Sequence, residues 1–519
     1  MSEFWLWSLA LVATAVAALA RSAFFRASSG SAVDHYYWLL AARAYREGKR
    51  LPVSIPNKYL LEDERQCYPP FLGWLLARLP ESWLSGVRPV ALVQAADAAT
   101  LLLLIAHALH LNAPAASIVV IFLVYGLAPV LAAYNTQLSS RSFGNLFFTA
   151  SLLSQAAASA LPSDAPKFIL GFAVAIVATA AVILTHKMTT QLMIALWPLW
   201  PFALGDARIA FILPTGLILS VLITGPRFAA MQWRAHADIV AFWHRHRDAL
   251  GAHVFAHSPI YGDPSRVGET AFHKPGWDGW RAHGALAFGY CPLLWLAPLT
   301  LVAAPPPPAW ILIWTIGVAM VALLTLYVPI LRCFGGGHLY IFNAIAPAAL
   351  WWATVVAHGT SEVLAIFGLG LLATLLALVW GHRRRLQGHS RADEGFQAVI
   401  DHLSKLPPGR VAVFPLTAAE EVAYRTPQAV LWGAHGYGFC QLEPIFPVMR
   451  ERLSTVLRQH RCDWLLFDVR YWPGGPEVVS AEFPHAHVVS FASWNLVTLP
   501  RVHDTHADEP GLRKSACSL

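Results

Sequence analysis

A carboxylate and an imidazole stand side by side near the start of the chain, at Asp34 and His35, soon after an apolar stretch at 4–20. That stretch is long enough to cross the hydrocarbon core of a bilayer as a helix. A carboxylate at a membrane boundary is placed to accept a proton from a nucleophile as a general base. The pattern predicts that Asp34 is catalytic, with an N-cap for a helix starting near Tyr36 as the alternative. His35 either orients an acceptor, acts as the base itself, or is an ordinary interfacial histidine.

The elements that position these residues follow from composition. The chain has 519 residues, of which 56% are hydrophobic and only 13% charged, against roughly 25% charged in soluble domains. The mean hydropathy is +0.49. The net charge of +7 indicates phosphate-rich lipid surfaces as partners, and no nucleic-acid-binding motif is visible. Six single cysteines show no metal-ligand spacing. The sequence therefore predicts a polytopic α-helical membrane protein.

Apolar runs predict about eleven spans, because each is close to the ~20 residues that a spanning helix needs. The first is interpreted as a retained anchor, with a cleaved signal peptide as the alternative. Long polar segments at 21–85 and 225–283 interrupt the runs. The basic residues Arg43, Arg46, Lys49 and Arg50 in the first are expected to keep an amphipathic helix at an anionic membrane surface, and the second begins with the pattern of an amphipathic helix lying on a membrane surface. The predicted spans are 4–20, 85–108, 113–134, 143–161, 168–185, 189–204, 208–224, 285–303, 309–330, 339–358 and 362–380.

A change in composition after residue 385 predicts a soluble α/β domain at 386–519, following a membrane domain at 1–385. Short buried strands are expected at 409–415, 462–468, 488–491 and 495–499, and a helix at 449–460. A disulfide between Cys440 and Cys462 is compatible with an extracytoplasmic domain, but the sequence alone does not establish it.

Several cations stand beside apolar runs, where an unpaired charge is costly. Arg332 ends one run and is followed by three glycines, His338 and Tyr340. The planar guanidinium suits a phosphate group, so Arg332 is a candidate to bind an anionic substrate, with snorkelling to the membrane surface as the alternative. His186 and Lys187 lie between two other runs and either hold a lipid phosphate or are interfacial.

Arg141 and the acidic run at 62–64 each allow two interpretations, a binding site or an ordinary polar loop. Arg141 lies between two predicted spans and belongs either to a loop or to a site. Glu64 closes an acidic run at 62–64, just before Tyr68. This run either binds an acceptor or a metal, or is a solvated loop.

Three short motifs, in this order, resemble the GT-C superfamily of glycosyltransferases, which includes protein O-mannosyltransferases and lipid A aminoarabinose and galacturonic acid transferases. They are Val-Asp-His-Tyr-Tyr-Trp at 33–38, Tyr-Pro-Pro at 68–70, and Arg-Cys-Phe-Gly-Gly-Gly-His-Leu-Tyr at 332–340. The resemblance covers the whole chain in architecture but only these motifs in residues. It implies Asp34 and His35 as catalytic residues, and Arg332, His338, Tyr340, Lys187, His186, Glu64 and Tyr68 as substrate-binding residues.

The resemblance also implies an activity. It is the transfer, with inversion, of a sugar from a polyprenyl-phosphate donor to a glycan, lipid or protein acceptor. The expected location is a bacterial inner membrane, with the active site and the C-terminal domain outside the cytoplasm. Many relatives carry paired acids where this chain has Asp34-His35, and its first loop has no Asp-x-Asp motif. No cofactor is therefore predicted, and dependence on a divalent metal is not supported.

A flippase or polymerase-type protein that handles lipid-linked glycans is the alternative, because its basic groove would also bind phosphate. A transporter would be expected to show repeated halves with broken helices, and no internal repeat is visible. A non-catalytic scaffold would leave Asp34 and Arg332 unexplained.

Overall fold

The structure is a computed structural model. It describes Ser8, Val12 and residues 33–48, 50–60, 65–86, 88–162, 165–247, 250–251, 254–255, 276–388, 394–435 and 437–500. The predicted first span at 4–20 and the acidic run at 62–64 therefore lie almost wholly outside the described residues.

Helices form most of the described chain up to residue 388. They are α1 Val33–Glu47, α2 Phe71–Ala77, α3 Val90–His110, α4 Ala115–Gly126, α5 Pro129–Tyr134, α6 Arg141–Ser159, α7 Pro166–Ile183, α8 Lys187–Leu196, α9 Trp200–Leu204, α10 Ile212–Thr224, α11 Pro226–Arg245, α12 Gly276–Tyr290, α13 Pro292–Leu296, α14 Ala309–Tyr327, α15 Ile345–Val356 and α16 Ser361–Gly388. A two-stranded antiparallel pair, β1 Leu250–Gly251 and β2 Val254–Phe255, follows α11.

Six helices among the described residues are long and apolar enough to cross a membrane, or seven if a pair bent by 99° is one span. The polytopic fold class is thereby confirmed. Others of the roughly eleven predicted spans fall short for physical reasons. The helix Arg141–Ser159 carries several polar side chains, and the segment at 187–204 is broken into short pieces around Pro198 and Pro201. Proline removes a backbone hydrogen bond and clashes with the preceding turn.

The C-terminal domain is α/β, as predicted. Its sheet has the order β4-β3-β5-β7-β6; β3 is parallel to β4 and β5, whereas β7 is antiparallel to β5 and β6. The four predicted strands are present, and the predicted helix is shorter and begins later, at Leu453. The elements are α17 Glu394–Leu403, β3 Arg410–Phe414, α18 Ala419–Arg425, β4 Ala429–Val430, α19 Leu453–Gln459, β5 Trp464–Asp468, α20 Gly475–Glu482, β6 His487–Phe491 and β7 Trp494–Thr498.

The C-terminal domain packs directly on the first loop, and one hydrophobic core runs through both. The loop extends the edge of the sheet: the Val430 amide donates to the Asn57 carbonyl at 2.8 Å, and Lys58 bridges to Val430 in parallel. Tyr36 donates to Glu421 at 3.0 Å, and Arg43 donates to the Tyr424 carbonyl at 3.0 Å. The domain is therefore on the same side of the helical bundle as Asp34.

One interpretation of the sequence is wrong, and one question that the sequence left open is answered. The basic segment that includes Arg43 and Arg46 was expected to hold an amphipathic helix on an anionic membrane surface. Instead, residues 37–42 of α1 are all buried, and Arg46 donates to the carbonyls of Ala77 and Leu79. The Cys440–Cys462 disulfide is not formed, because Cys462 is a free thiol whereas Cys440 is disulfide-bonded.

Candidate functional site

Asp34 is paired with a histidine from the C-terminal domain. It lies in the first turn of α1, which begins at Val33, so it is inside the helix and does not precede it as a cap. His435 Nε2 lies 3.0 Å from Asp34 Oδ1, and 24% of the Asp34 side chain remains exposed. Burial raises the pKa of Asp34, whereas the hydrogen bond and charge of His435, together with Arg141, lower it; the pKa ends below its ordinary value. Asp34 is therefore an accessible carboxylate at neutral pH.

His435 is held between two carboxylates. Its backbone amide donates to Glu420 Oε1 at 3.2 Å, and its Nδ1 lies 3.6 Å from the same oxygen. Burial lowers the pKa of His435, but the hydrogen bond to Asp34 and the neighbouring Glu420 carboxylate raise it to about 10. Lys58 Nζ, from the first loop, lies 3.4 Å from Glu420, and both side chains are only 1% exposed. Asp34, His435, Glu420 and Lys58 thus form a row of alternating charges.

The row passes beside Gly433, which has no side chain. A Cβ atom at this position would collide with Lys58 Nζ and Glu420 Oε1. A glycine is therefore needed here because of the close approach of the two charged groups.

Two tyrosine rings connect this centre to a further cation, Lys187. The Tyr37 ring stacks on His435 at a centroid distance of 4.3 Å, and the Tyr68 ring lies 5.3 Å from it. The Tyr68 ring also contacts Lys187, whose Nζ lies 4.5 Å from the ring centre. Burial raises the pKa of Tyr68, but Lys187 and His435 lower it, and the net pKa lies below 10. Such a shift requires net positive potential at this point.

Lys187 stands on the wall of a cavity of about 1240 Å³. The wall comes mainly from α8, α10, α11 and α14, and its side chains are mostly apolar, for example Ile194, Leu217 and Leu324. Tyr437 of the C-terminal domain also lines it, whereas Asp34 does not; Tyr437 and Tyr68 are in ring contact at 5.9 Å. The cavity has the size and the lining to take a hydrocarbon chain.

Arg141 is a further cation at this centre. Its Nε and Nη1 atoms are buried without a hydrogen-bond partner, and its guanidinium carbon lies 4.5 Å from the centre of the Tyr134 ring. Its charge contributes to lowering the pKa of Asp34. Buried donors without partners are costly, so this guanidinium is suited to an anionic ligand.

A buried chain of hydrogen bonds supports the segment that carries Arg141. It starts at Asp97 in α3, whose carboxylate accepts from Tyr125 at 3.0 Å and from Asn135 at 2.6 Å. It continues through pairs of side chains from α6, α8 and the 3₁₀ turn at 337–344. These pairs are Ser142–Asn135, Asn145–Tyr125, Asn343–Asn145, Thr189–Asn343 and His186–Thr189. The chain fixes the starts of α6 and α8 relative to each other, and hence the backbones at Arg141 and Lys187.

The structure also locates the other predicted residues. His35 is 1% exposed, and burial lowers its pKa to about 4, so its imidazole is neutral at neutral pH. His186 is the N-cap of α8: its Nδ1 accepts from the Thr189 amide. Tyr340 lines the cavity, and its hydroxyl donates to Gln191 at 2.7 Å. Lys187, Tyr340 and Tyr68 are thus brought to the cavity and its rim.

Arg332 and His338 are not brought to Asp34 by any contact recorded for the described residues. Arg332 Nε donates to the Leu326 carbonyl at 3.2 Å, and the flanking Leu331 and Cys333 line the cavity. The His338 ring contacts Tyr290 at 5.8 Å. A Cβ atom at Gly337 would collide with the Ala322 carbonyl, so this glycine serves close packing on α14. Glu64 lies outside the described residues.

Sequence reasoning missed His435, Glu420 and Lys58, and left Arg141 undecided. His435 is one of 22 histidines, and only the neighbouring glycines mark it. Among the residues that the structure describes, no group of three or more His, Cys, Asp or Glu side chains could hold a metal ion. The cations His435 and Arg141 both act on Asp34.

Comparison with known proteins gives a fold. No protein-family model and no curated sequence matches the chain. The oligosaccharyltransferase AglB from Archaeoglobus fulgidus, in complex with an inhibitory peptide and a dolichol-phosphate, aligns with a TM-score of 0.56 and 11% identity, over 92% of this chain and 72% of AglB. ArnT from Cupriavidus metallidurans, bound to undecaprenyl phosphate, aligns with a TM-score of 0.55 and 12% identity, over 94% of this chain and 98% of ArnT. Both are GT-C glycosyltransferases. The chain therefore has the GT-C fold, a helical membrane part followed by a C-terminal soluble domain.

Proposed function

We propose that the protein is an integral membrane glycosyltransferase that takes a sugar from a polyprenyl-phosphate donor. The acceptor is a nucleophile of a glycan, lipid or protein outside the cytoplasm. The observation that carries this proposal is the junction between a largely apolar cavity of about 1240 Å³, with Lys187 on its wall, and the centre formed by Asp34 and His435. A lipid-linked anionic donor needs both parts in contact.

In this proposal the hydrocarbon chain of the donor occupies the cavity and its phosphate lies between Lys187 and Arg141. The Arg141 nitrogens without partners supply donors for phosphate oxygens, and such charge-assisted hydrogen bonds are short and strong. AglB and ArnT have been observed with dolichol-phosphate and undecaprenyl phosphate, which supports a donor of this class. The assignment of Arg332 to the phosphate is retained as a competing hypothesis and is tested below.

The proposed reaction is a transfer with inversion in which each of these groups has a role. The acceptor oxygen or nitrogen attacks the anomeric carbon of the sugar from the face opposite the phosphate, and a new glycosidic bond forms. The bond from the anomeric carbon to the phosphate oxygen breaks, and its electron pair leaves with the polyprenyl phosphate. Asp34 accepts the acceptor's proton, and Arg141 and Lys187 stabilise the charge that grows on the phosphate. Attack from the opposite face inverts the anomeric configuration.

The proposal is tested with purified protein in nanodiscs, given a panel of radiolabelled polyprenyl-phosphate sugars and an extract of envelope acceptors. We expect one donor to lose its label to an acceptor, and Lys187→Gln to abolish most of this transfer. Movement of labelled lipid across the bilayer without transfer to any acceptor would instead favour the flippase function.

The orientation of the protein gives a separate prediction. A cysteine introduced at Glu477, exposed on α20, should react with a membrane-impermeant thiol reagent in intact cells. A cysteine at His110 should react only after the membrane is opened. The 21 residues of α3 span roughly 30 Å at 1.5 Å per residue, so His110 lies across the bundle from the loop that precedes Val90.

The parent chain serves as the blank for this experiment, since its free cysteines among the described residues, Cys67, Cys291, Cys333 and Cys462, are buried. Labelling with the opposite pattern would place Asp34 and the C-terminal domain in the cytoplasm and remove the extracytoplasmic acceptor from the proposal.

A further inference from the structure

The C-terminal domain reaches the centre of the proposed site. Among the described residues, His435 is the one residue of this domain with a recorded contact to Asp34. It follows β4, and its Nε2 lies 3.0 Å from Asp34 Oδ1. The contact is supported from behind by Glu420, at the start of α18, and by Lys58 from the first loop. Three separate segments of the chain therefore cooperate to hold one imidazole against one carboxylate.

The support is rigid. His435 is 9% exposed, Glu420 and Lys58 are each 1% exposed, and the Tyr37 ring stacks on the imidazole. Breaking a buried charge pair by removing one partner leaves an uncompensated buried charge, which is strongly unfavourable. The arrangement fixes the position of His435 and favours its charged imidazolium form, because each ring nitrogen faces a carboxylate.

We propose that the C-terminal domain is part of the catalytic centre and that His435 is the positioning residue that orients Asp34 and keeps it ionised. The inference rests on the proposed function, in which Asp34 accepts the acceptor's proton. His435 does not touch the substrate in this account: both of its ring nitrogens face acids, so neither is free to take a proton from an acceptor. The second oxygen of Asp34 is left for that task.

The role predicts how the rate depends on pH. Besides His435, the charged or titratable groups that act on Asp34 or are acted on by it are Arg141, His186, Tyr68 and Tyr134. His435 opposes the effect of burial, which on its own raises the pKa of Asp34. Without the imidazolium, Asp34 should bind its proton at a higher pH. The acid limb of kcat/KM should therefore move to higher pH.

The first experiment measures turnover and its pH profile in His435→Gln, which keeps an amide donor but removes the positive charge. We expect turnover to fall about 10- to 100-fold, by analogy with the loss of groups that orient metal-binding side chains from behind, and the acid limb to shift upward. Glu443→Gln is the matched control. It removes the negative charge from the 2.5 Å contact with His246, another link between the C-terminal domain and the membrane part, and leaves Asp34 and His435 unchanged. Its acid limb should stay in place.

A second variant tests the same role from the other side of the imidazole. Glu420→Gln leaves the imidazole in place but removes one of the two acids that raise its pKa. His435 then loses its proton at lower pH. Because a neutral imidazole holds the Asp34 carboxylate less firmly than an imidazolium does, the alkaline limb of the rate should move to lower pH. An acid limb unmoved in His435→Gln, or an alkaline limb unmoved in Glu420→Gln, would overturn the positioning role.

A third measurement does not depend on the reaction. Melting temperatures of Asp34→Asn, His435→Gln and the double variant form a double-mutant cycle, in which residues in contact give non-additive effects. We expect His435→Gln to lower the melting temperature less in the Asp34→Asn background than in the parent. Additive effects would refute the contact itself. Non-additive effects in a protein that transfers no sugar would instead count against the proposed function alone.

Discussion

Replacement of Asp34 by Asn is expected to lower turnover by about 10²–10⁴-fold, the usual contribution of a positioned general base. The amide has nearly the shape of the carboxylate and still accepts a hydrogen bond from His435, so the site should remain assembled. It cannot accept the acceptor's proton at neutral pH. The measurement is turnover with saturating donor, together with a binding assay for the donor, whose affinity should change little because the phosphate contacts are elsewhere.

Asp401→Asn is the matched control for this change. Asp401 lies exposed on α17 of the C-terminal domain, where it accepts a hydrogen bond from Gln397. The same chemical exchange there should leave turnover unchanged. Near-normal turnover in Asp34→Asn would remove the base from the mechanism and reduce Asp34 to a structural partner of His435.

The membrane part of the fold was predictable to the extent that it depends on hydropathy. Apolar runs such as that of α14 were found from the sequence because a helix in lipid must be apolar over about 20 residues. The amphipathic α11 was found from its periodicity. The interpretation of individual helices from hydropathy failed where tertiary contacts determine which side chains are buried. The helix α6 is polar because it packs against other helices through Asn145 and Ser151, and α1 is buried because the C-terminal domain covers it.

The candidate site was predictable only where a motif marks it. Asp34 and Tyr68 belong to short motifs, and Lys187 interrupts an apolar run, so each stood out as a single residue. His435 did not, because its role comes from a contact between the first loop and the C-terminal domain, and no local pattern encodes that contact. The same holds for the Lys58–Glu420 pair, whose members are separated by most of the chain. Sequence patterns report local periodicity, whereas this centre is built from long-range docking.

The role of Arg141 gives the second large expected effect. Arg141→Ala should lower kcat/KM for the donor by about 10²–10³-fold, the usual loss when one preorganised donor to a developing anion is removed. The reason is that its Nε and Nη1 atoms are buried without a partner in the described structure, so a phosphate oxygen is their natural ligand. Arg141→Lys should recover only part of the rate, because an ammonium keeps the charge but loses the planar fork.

Arg332→Ala is the direct competitor in this experiment, since the sequence alone favours Arg332 as the phosphate ligand. Its Nε already donates to the Leu326 carbonyl, and it is not among the residues that line the cavity. We therefore expect Arg332→Ala to lower the melting temperature more than it lowers kcat/KM, and Arg141→Ala to do the reverse. Both variants replace an arginine by alanine, so a difference in their effects comes from the position of the arginine and not from the kind of group removed. Full activity in Arg141→Ala, with a loss of donor use in Arg332→Ala, would move the phosphate to the segment at 332–340 and leave the unpartnered nitrogens of Arg141 without a ligand.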